Sequence, residues 1–191
     1  MKTTSIMIVG VGGQGTLLAS KLLGNVLLSQ GYDVKVSEVH GMSQRGGSVV
    51  TYVRFGEKVY SPVVDLGEAD YILSFELLES ARWIGYLKKG GRLITNTHRT
   101  PPMPVITGAA EYPSNIEAHL RELADVTALE AMPLAEQAGS AKAVNVVLVG
   151  VLSRSMDIPE ENWLRAIEET VPPKFVELNR RAFLLGREVQ A

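Results

Sequence analysis

The feature that most limits what this chain can fold into lies at its start. The apolar run Ser5-Ile6-Met7-Ile8-Val9 leads directly into Gly10-Val11-Gly12-Gly13-Gln14-Gly15, and a helical pattern opens after the last glycine. A buried strand that feeds a glycine turn and then a helix is the opening of a β-α-β unit. Leu18, Leu22 and Val26 recur every four residues, with Leu23 and Leu27 beside them, and Gly31 supplies a stop. Asp33 to Val39 alternates Val34, Val36 and Val39 with polar residues, the pattern of a second strand. Such units make parallel sheet by a right-handed crossover, which would set the two strands side by side with their following loops together.

The rest of the chain continues the alternation. After the polar loop His40 to Gly47, the β-branched and aromatic run Ser48 to Phe55 reads as a strand. Gly56-Glu57 then suits a two-residue turn, with Lys58 to Val64 as the returning strand of an antiparallel hairpin. Asp70 to Phe75 is a further strand, Leu77 to Leu87 a helix stopped by Lys88-Lys89-Gly90-Gly91, and Arg92 to Thr97 the next strand. Thr100 to Pro104 should be extended, Asn115 to Leu123 helical and Val126 to Ala131 a strand. Pro133 to Ala138 begins a helix that Gly139-Ser140 interrupts before the apolar stretch Ala141 to Met156. Asp157 to Glu160 has capping-box spacing, Trp163, Ile167 and Val171 share a face, and Phe175, Leu178 and Leu185 line a last helix. The expected class is α/β: a Rossmann-like, mostly parallel sheet with an inserted antiparallel hairpin and a helical C-terminal third, in a single domain over 1–191.

Composition removes several functions. The chain has no cysteine, which excludes disulfides, a thiol nucleophile and cysteine-ligated zinc or iron–sulfur clusters. Its three histidines, His40, His98 and His119, are read as outside any HxxxH or HxxE pair, so no metal site is expected. With 19 Lys+Arg against 21 Asp+Glu there is no nucleic-acid footprint. The longest apolar run, Ala143 to Leu152, is too short to span a bilayer, and no signal peptide is evident, so a cytoplasmic location is expected.

Two loops can carry chemistry. Gly10 to Gly15 has GxGxxG spacing, in which Gly10, Gly12 and Gly15 permit a tight turn and close approach of a phosphate to backbone. Gly13 and Gln14 complete that loop, and Glu38 stands where a dinucleotide-binding protein places its ribose acid. The plain reading is NAD or FAD binding; the bland one is a glycine turn needed only for packing. The second loop offers His40, Gly41, Gln44, Arg45, Gly46 and Gly47 at the carboxyl end of the second strand, the edge where open α/β sheets bind ligands. Arg45 suits a bidentate contact to phosphate or carboxylate; Gln44 and Arg45 could equally brace the loop or a subunit contact. His98 and Arg99 could reach a site, while Lys88-Lys89 and Arg180-Arg181 read as solvated surface.

Together, GVGGQG and the later SEVHGMSQRGGSV closely resemble the gamma-type domain of the 2-oxoacid:ferredoxin oxidoreductases, over essentially the full chain. The resemblance implies oxidative decarboxylation of a 2-oxo acid, indolepyruvate or another aryl pyruvate, to an acyl-coenzyme A. It implies that thiamine diphosphate, Mg²⁺ and iron–sulfur clusters sit in a larger partner subunit that passes electrons to ferredoxin. The absence of cysteine, and of a GDG motif with a distal Asn, makes this chain the non-cluster subunit, inactive alone, with its two loops facing the cofactor or the coenzyme A path. The alternatives are a free-standing NAD- or FAD-binding protein and a non-catalytic scaffold.

Overall fold

Alternating side chains on the first strand divide the molecule. In β1 (Thr4–Val11) Ile6 and Ile8 point to one face of the sheet and Met7 and Val9 to the other, and all four are fully buried. The computed structural model describes residues 3–40 and 46–190, with only the backbone of His40. The order β2-β3-β1-β4-β5-β6 uses β2 (Asp33–His40), β3 (Ser48–Gly56), β4 (Ala69–Ser74), β5 (Leu87–Asn96) and β6 (Asp125–Leu129). β1, β4, β5 and β6 are parallel; β3 runs against both β1 and β2.

On one face, α1 (Thr16–Ser29) shares a core with the C-terminal helices α5 (Met132–Ala138), α6 (Val144–Ser153), α7 (Glu160–Thr170) and α8 (Val176–Glu188). α6 is buried on all sides, which is why its sequence shows no polar face. On the other, α2 (Leu77–Trp83) and α4 (Ile116–Leu123) cover Met7, Val9, Ile72 and Leu93. The short turn of helix α3 (Met103–Ile106) lies in the long excursion between β5 and α4. Among the described residues no helix is long and apolar enough to cross a membrane.

The α/β class, the glycine turn and the helical last third match the sequence expectation; several local expectations do not. β1 and β2 run in the same direction but are not neighbours, because β3 lies between them. The antiparallel hairpin is therefore β2–β3, not β3 with a returning strand. Residues 58–64 form no strand, since β2 and β1 already occupy both edges of β3. That segment, which includes Pro62, is instead held by the Arg54 guanidinium, which donates to the Ser61 and Val63 carbonyls at 3.4 and 2.6 Å.

The helix expected to reach Leu87 stops at Trp83 and ends in a 3₁₀ turn, and Lys88 to Gly91 belong to β5. Lys88 is no helix end in solvent; it pairs with Asp70, whose other oxygen accepts from the Ser5 amide. Gly91 is required there because a Cβ would lie 2.9 Å from the Asp70 carbonyl oxygen, beside a shift in the β4–β5 register. The run 100–104 is extended only to Pro102, where α3 begins. Asp157 to Glu160 forms no capping box: Pro159 is the N-cap of α7, with no side-chain cap bond. On α8 the buried face is Asn179, Ala182, Phe183 and Gly186, with Leu178 and Leu185 only packed against it and Phe175 exposed.

Candidate functional site at the carboxyl edge of the sheet

The glycine turn is shaped by three different constraints. Gly10 is small because a Cβ would stand 2.8 Å from Gln14 Oε1 and 3.1 Å from Phe75 Cβ. Gln14 folds back over its own turn, its Oε1 accepting from the Val11 amide at 2.8 Å. Gly13, at φ +102°, needs glycine for its backbone alone, because nothing lies within 4 Å of where a Cβ would be. Gly15, at φ +86°, is both left-handed and crowded, with Asn145 Nδ2 2.5 Å from the position of a Cβ. It is also the N-cap of α1, without a side-chain cap and with no acid in the first helical turn. The positive end of α1 thus has no acid or side-chain cap from its own first turn, and it borders a hollow that Glu38 also lines.

Two hollows flank this turn. The larger, about 560 Å³, is bordered by the turn, by Phe75 and by Asn96 and His98 at the end of β5. Lys142 and Asn145 close it from the α6 side. The smaller, about 410 Å³, lies between the turn, Thr16 and Leu17 of α1, Glu38 of β2 and Val49 of β3. The intervening β3 places Glu38 two strands from β1 rather than on its neighbour, where the ribose acid of a dinucleotide fold stands. Glu38 nevertheless borders the same hollow as Gly12, Gly13 and Gly15 and lies 3.4 Å from Thr51 Oγ1.

The described end of the second loop meets the glycine turn, by a route other than adjacent parallel strands. Gly47 and the turn are joined through β3, whose first residue Ser48 is opposite Val11, and by the Gly12 amide donating to the Gly47 carbonyl at 2.9 Å. Gly46 has φ +78°, the left-handed conformation that glycine permits. Gly41, Gln44 and Arg45, and the side chain of His40, lie outside the described residues.

Asn145, Phe75, Asn96 and Lys142 are site residues that sequence reading missed. Asn145 had a signal: it is the one polar residue inside the apolar run from Ala143 to Leu152. It is 4% exposed, its Nδ2 donates to the Gly15 carbonyl at 3.1 Å and its Oδ1 accepts from the Val146 amide at 2.9 Å. Asn96 likewise ties strands to turns, accepting from the Ala131 and His98 amides through Oδ1.

The donor set fits a phosphate-bearing ligand and does not fit a resident metal. Backbone N–H groups, Lys142 and the His98 imidazole border one cleft, while no group of three or more His, Cys, Asp or Glu able to hold a metal exists among the described residues. One expectation about histidine needs correction: His119 and Glu122 do stand in HxxE spacing, 3.5 Å apart, but both are exposed on α4.

Residues 5–189 match the family described as pyruvate ferredoxin/flavodoxin oxidoreductase. The chain is 48% identical to the indolepyruvate oxidoreductase subunit IorB of Thermococcus kodakarensis, over 97% of this chain and 95% of that one. Its fold is similar to that of the pyruvate oxidoreductase subunit PORC of Thermotoga maritima, with TM-score 0.75 at 22% identity over 98% and 97% of the two chains. It also resembles part of the 2-oxoglutarate:ferredoxin oxidoreductase of Magnetococcus marinus, with TM-score 0.75 at 18% identity, covering 98% of this chain and 31% of that one.

Proposed function

This chain belongs to the pyruvate ferredoxin/flavodoxin oxidoreductase family, and from that membership we propose that it is the cluster-free subunit of a ferredoxin-dependent 2-oxoacid oxidoreductase acting on indolepyruvate or another aryl pyruvate. The observation that carries the substrate class is the 48% identity to an indolepyruvate oxidoreductase subunit along nearly the whole of both chains. A chain with no cysteine cannot ligate the iron–sulfur clusters of such an enzyme, so a larger partner holds them, together with thiamine diphosphate and Mg²⁺, and delivers electrons to ferredoxin. The bound cofactors supply decarboxylation and electron transfer when the complex is assembled. This subunit supplies binding and enclosure.

The cleft beside the glycine turn takes the phosphate-bearing end of coenzyme A in this reading. Gly13 and Gly15 border it, Gly12 borders the adjoining hollow, and Gly10 makes room for the Gln14 side chain that holds the turn in shape. The open space at Gly13 lets an anion approach the α1 N-terminus. Lys142 and His98 add cationic and hydrogen-bonding side chains from across the cleft. Glu38 borders the adjoining hollow and Gly47 is bonded to the turn; His40, Gly41, Gln44, Arg45 and Gly46 are assigned to ligand binding in the same proposal, with Arg45 as the anion contact. A cytoplasmic location is part of the same proposal, as ferredoxin and coenzyme A are its reaction partners.

The test is reconstitution. The purified chain is assayed with indolepyruvate, coenzyme A, thiamine diphosphate, Mg²⁺ and an artificial electron acceptor, alone and after co-purification with the larger subunit. Activity is expected only in the complex, and turnover by this chain alone overturns the subunit assignment. In the complex, Arg45→Lys should raise the coenzyme A requirement by roughly tenfold or more, since the planar fork is lost and a charged hydrogen bond is worth about 1.5–3 kcal/mol.

A further inference from the structure

Glu76 and Glu79 are the two carboxylates buried among the described residues, at 1% and 4% exposure, and both sit at the start of α2. Burying a carboxylate is costly unless its oxygens are fully hydrogen-bonded, and each of these is. Glu76 does more than cap a helix. Its Oε2 accepts from the Glu79 amide at 2.9 Å, an ordinary cap. Its Oε1 accepts from the Thr100 amide at 2.9 Å and from the Tyr112 hydroxyl at 2.7 Å, both in the long excursion after β5. Burial and the Glu76 carboxylate push the Tyr112 phenol up from its ordinary range, which keeps it a neutral donor. Arg99 lies over the Tyr112 ring, and the His98 carbonyl accepts from the Leu77 amide at 3.0 Å. The excursion that carries His98 into the cleft is thus fastened to α2 on both sides of Arg99.

Glu79 fastens the other loop. Its Oε2 accepts from Ser48 Oγ and from Trp83 Nε1, the latter at 3.2 Å, and its Oε1 accepts from Arg82 Nε at 3.0 Å. Ser48 follows Gly47, whose carbonyl is bonded to Gly12 of the glycine turn. One turn of one helix therefore holds both the segment that carries His98 into the cleft and the Gly47–Ser48 stretch bonded to the glycine turn, through separate side chains.

We propose that Glu76 and Glu79 are positioning residues of this cleft: Glu76 sets the segment bearing His98, and Glu79 sets Gly47 and Ser48 against the glycine turn. The proposal rests on reading the cleft as the cosubstrate site, but the two linkages can be measured in the full chain by itself. Glu→Gln keeps size while placing an amide donor where one oxygen accepted, so one set of bonds at each site is lost. Ser48→Ala and Tyr112→Phe remove the opposite partner and leave the carboxylate in place, which covers the case of a Gln variant that fails to fold.

The experiment is NMR of the chain and its four variants, following the His98 ring and the Gly12 and Gly47 amides, then kinetics of the corresponding complexes. Glu76→Gln and Tyr112→Phe should move the His98 signals and leave the glycine amides. Glu79→Gln and Ser48→Ala should do the reverse. In the complex, Glu79→Gln should raise the KM for coenzyme A by roughly tenfold while kcat stays within about twofold, the signature of a displaced binding wall. Selective NMR shifts with an unchanged KM uphold the positioning and overturn the cosubstrate reading. If the variants leave these signals unmoved, or move both sets alike, the positioning proposal is wrong.

Discussion

At the scale of single residues, the glycine turn separates two kinds of requirement. Gly13 is needed for its backbone angle and Gly15 for angle and space. Gly13→Ala should therefore destabilise the chain by about 1 kcal/mol, the cost of an L-residue in the left-handed region. Gly15→Ala should cost about 2–4 kcal/mol, because its Cβ also collides with the Asn145 amide. Urea unfolding of the two variants checks the order. In an Asn145→Ala background the penalty at Gly15 should fall toward that at Gly13, and a double-mutant cycle reads the difference directly. The glycines themselves are legible in the sequence. Their reasons are not, because the atoms that would collide with Gly15 come from residue 145, at the other end of the chain.

Elements show the same division. α1 was readable because its apolar periodicity and its flanking glycines are local. The hairpin partner of β3 is not legible locally: Gly56-Glu57 has acceptable turn chemistry, while the decision belongs to the sheet, which leaves β3 no free edge. Helix packing makes a similar demand at α6 and α8. They cross so closely that a Cβ on Gly186 would lie 2.0 Å from the Val147 carbonyl oxygen, and one on Gly150 2.2 Å from that of Phe183. Gly186→Ala should cost about 3 kcal/mol, since backbone and not a flexible side chain must yield. Gly24→Ala makes the opposite case. Its Cβ would meet nothing within 4 Å on α1, so helix propensity dominates and the variant should gain about 0.5–1 kcal/mol. Thermal and urea unfolding of the two variants test both signs.

For the whole molecule, the two cores lie on opposite faces of one sheet and share its strands, which is the basis for proposing a single cooperative domain. The chain provides a reporter on each face: Trp163 is stacked on Phe183 among the C-terminal helices, and Trp83 packs against the α2 side. Fluorescence from Trp83→Phe and Trp163→Phe variants should show coincident urea transitions that also match the loss of helical circular dichroism. Two separated transitions would mean that the helical C-terminal third unfolds as its own unit.

The sequence by itself determined the α/β class, the strand–turn–helix at residues 5 to 29, the break at Gly139 between two C-terminal helices, and the absence of any cysteine-held cluster. Each of these depends on residue type and on neighbours a few positions away. Only the tertiary structure decided that β3 lies between β1 and β2, that Asn145 reaches the glycine turn, and that Glu76 and Glu79 are buried and clasp two loops. Those outcomes follow from covering both faces of a sheet at once, a long-range condition that selects among strand orders with nearly the same local pattern.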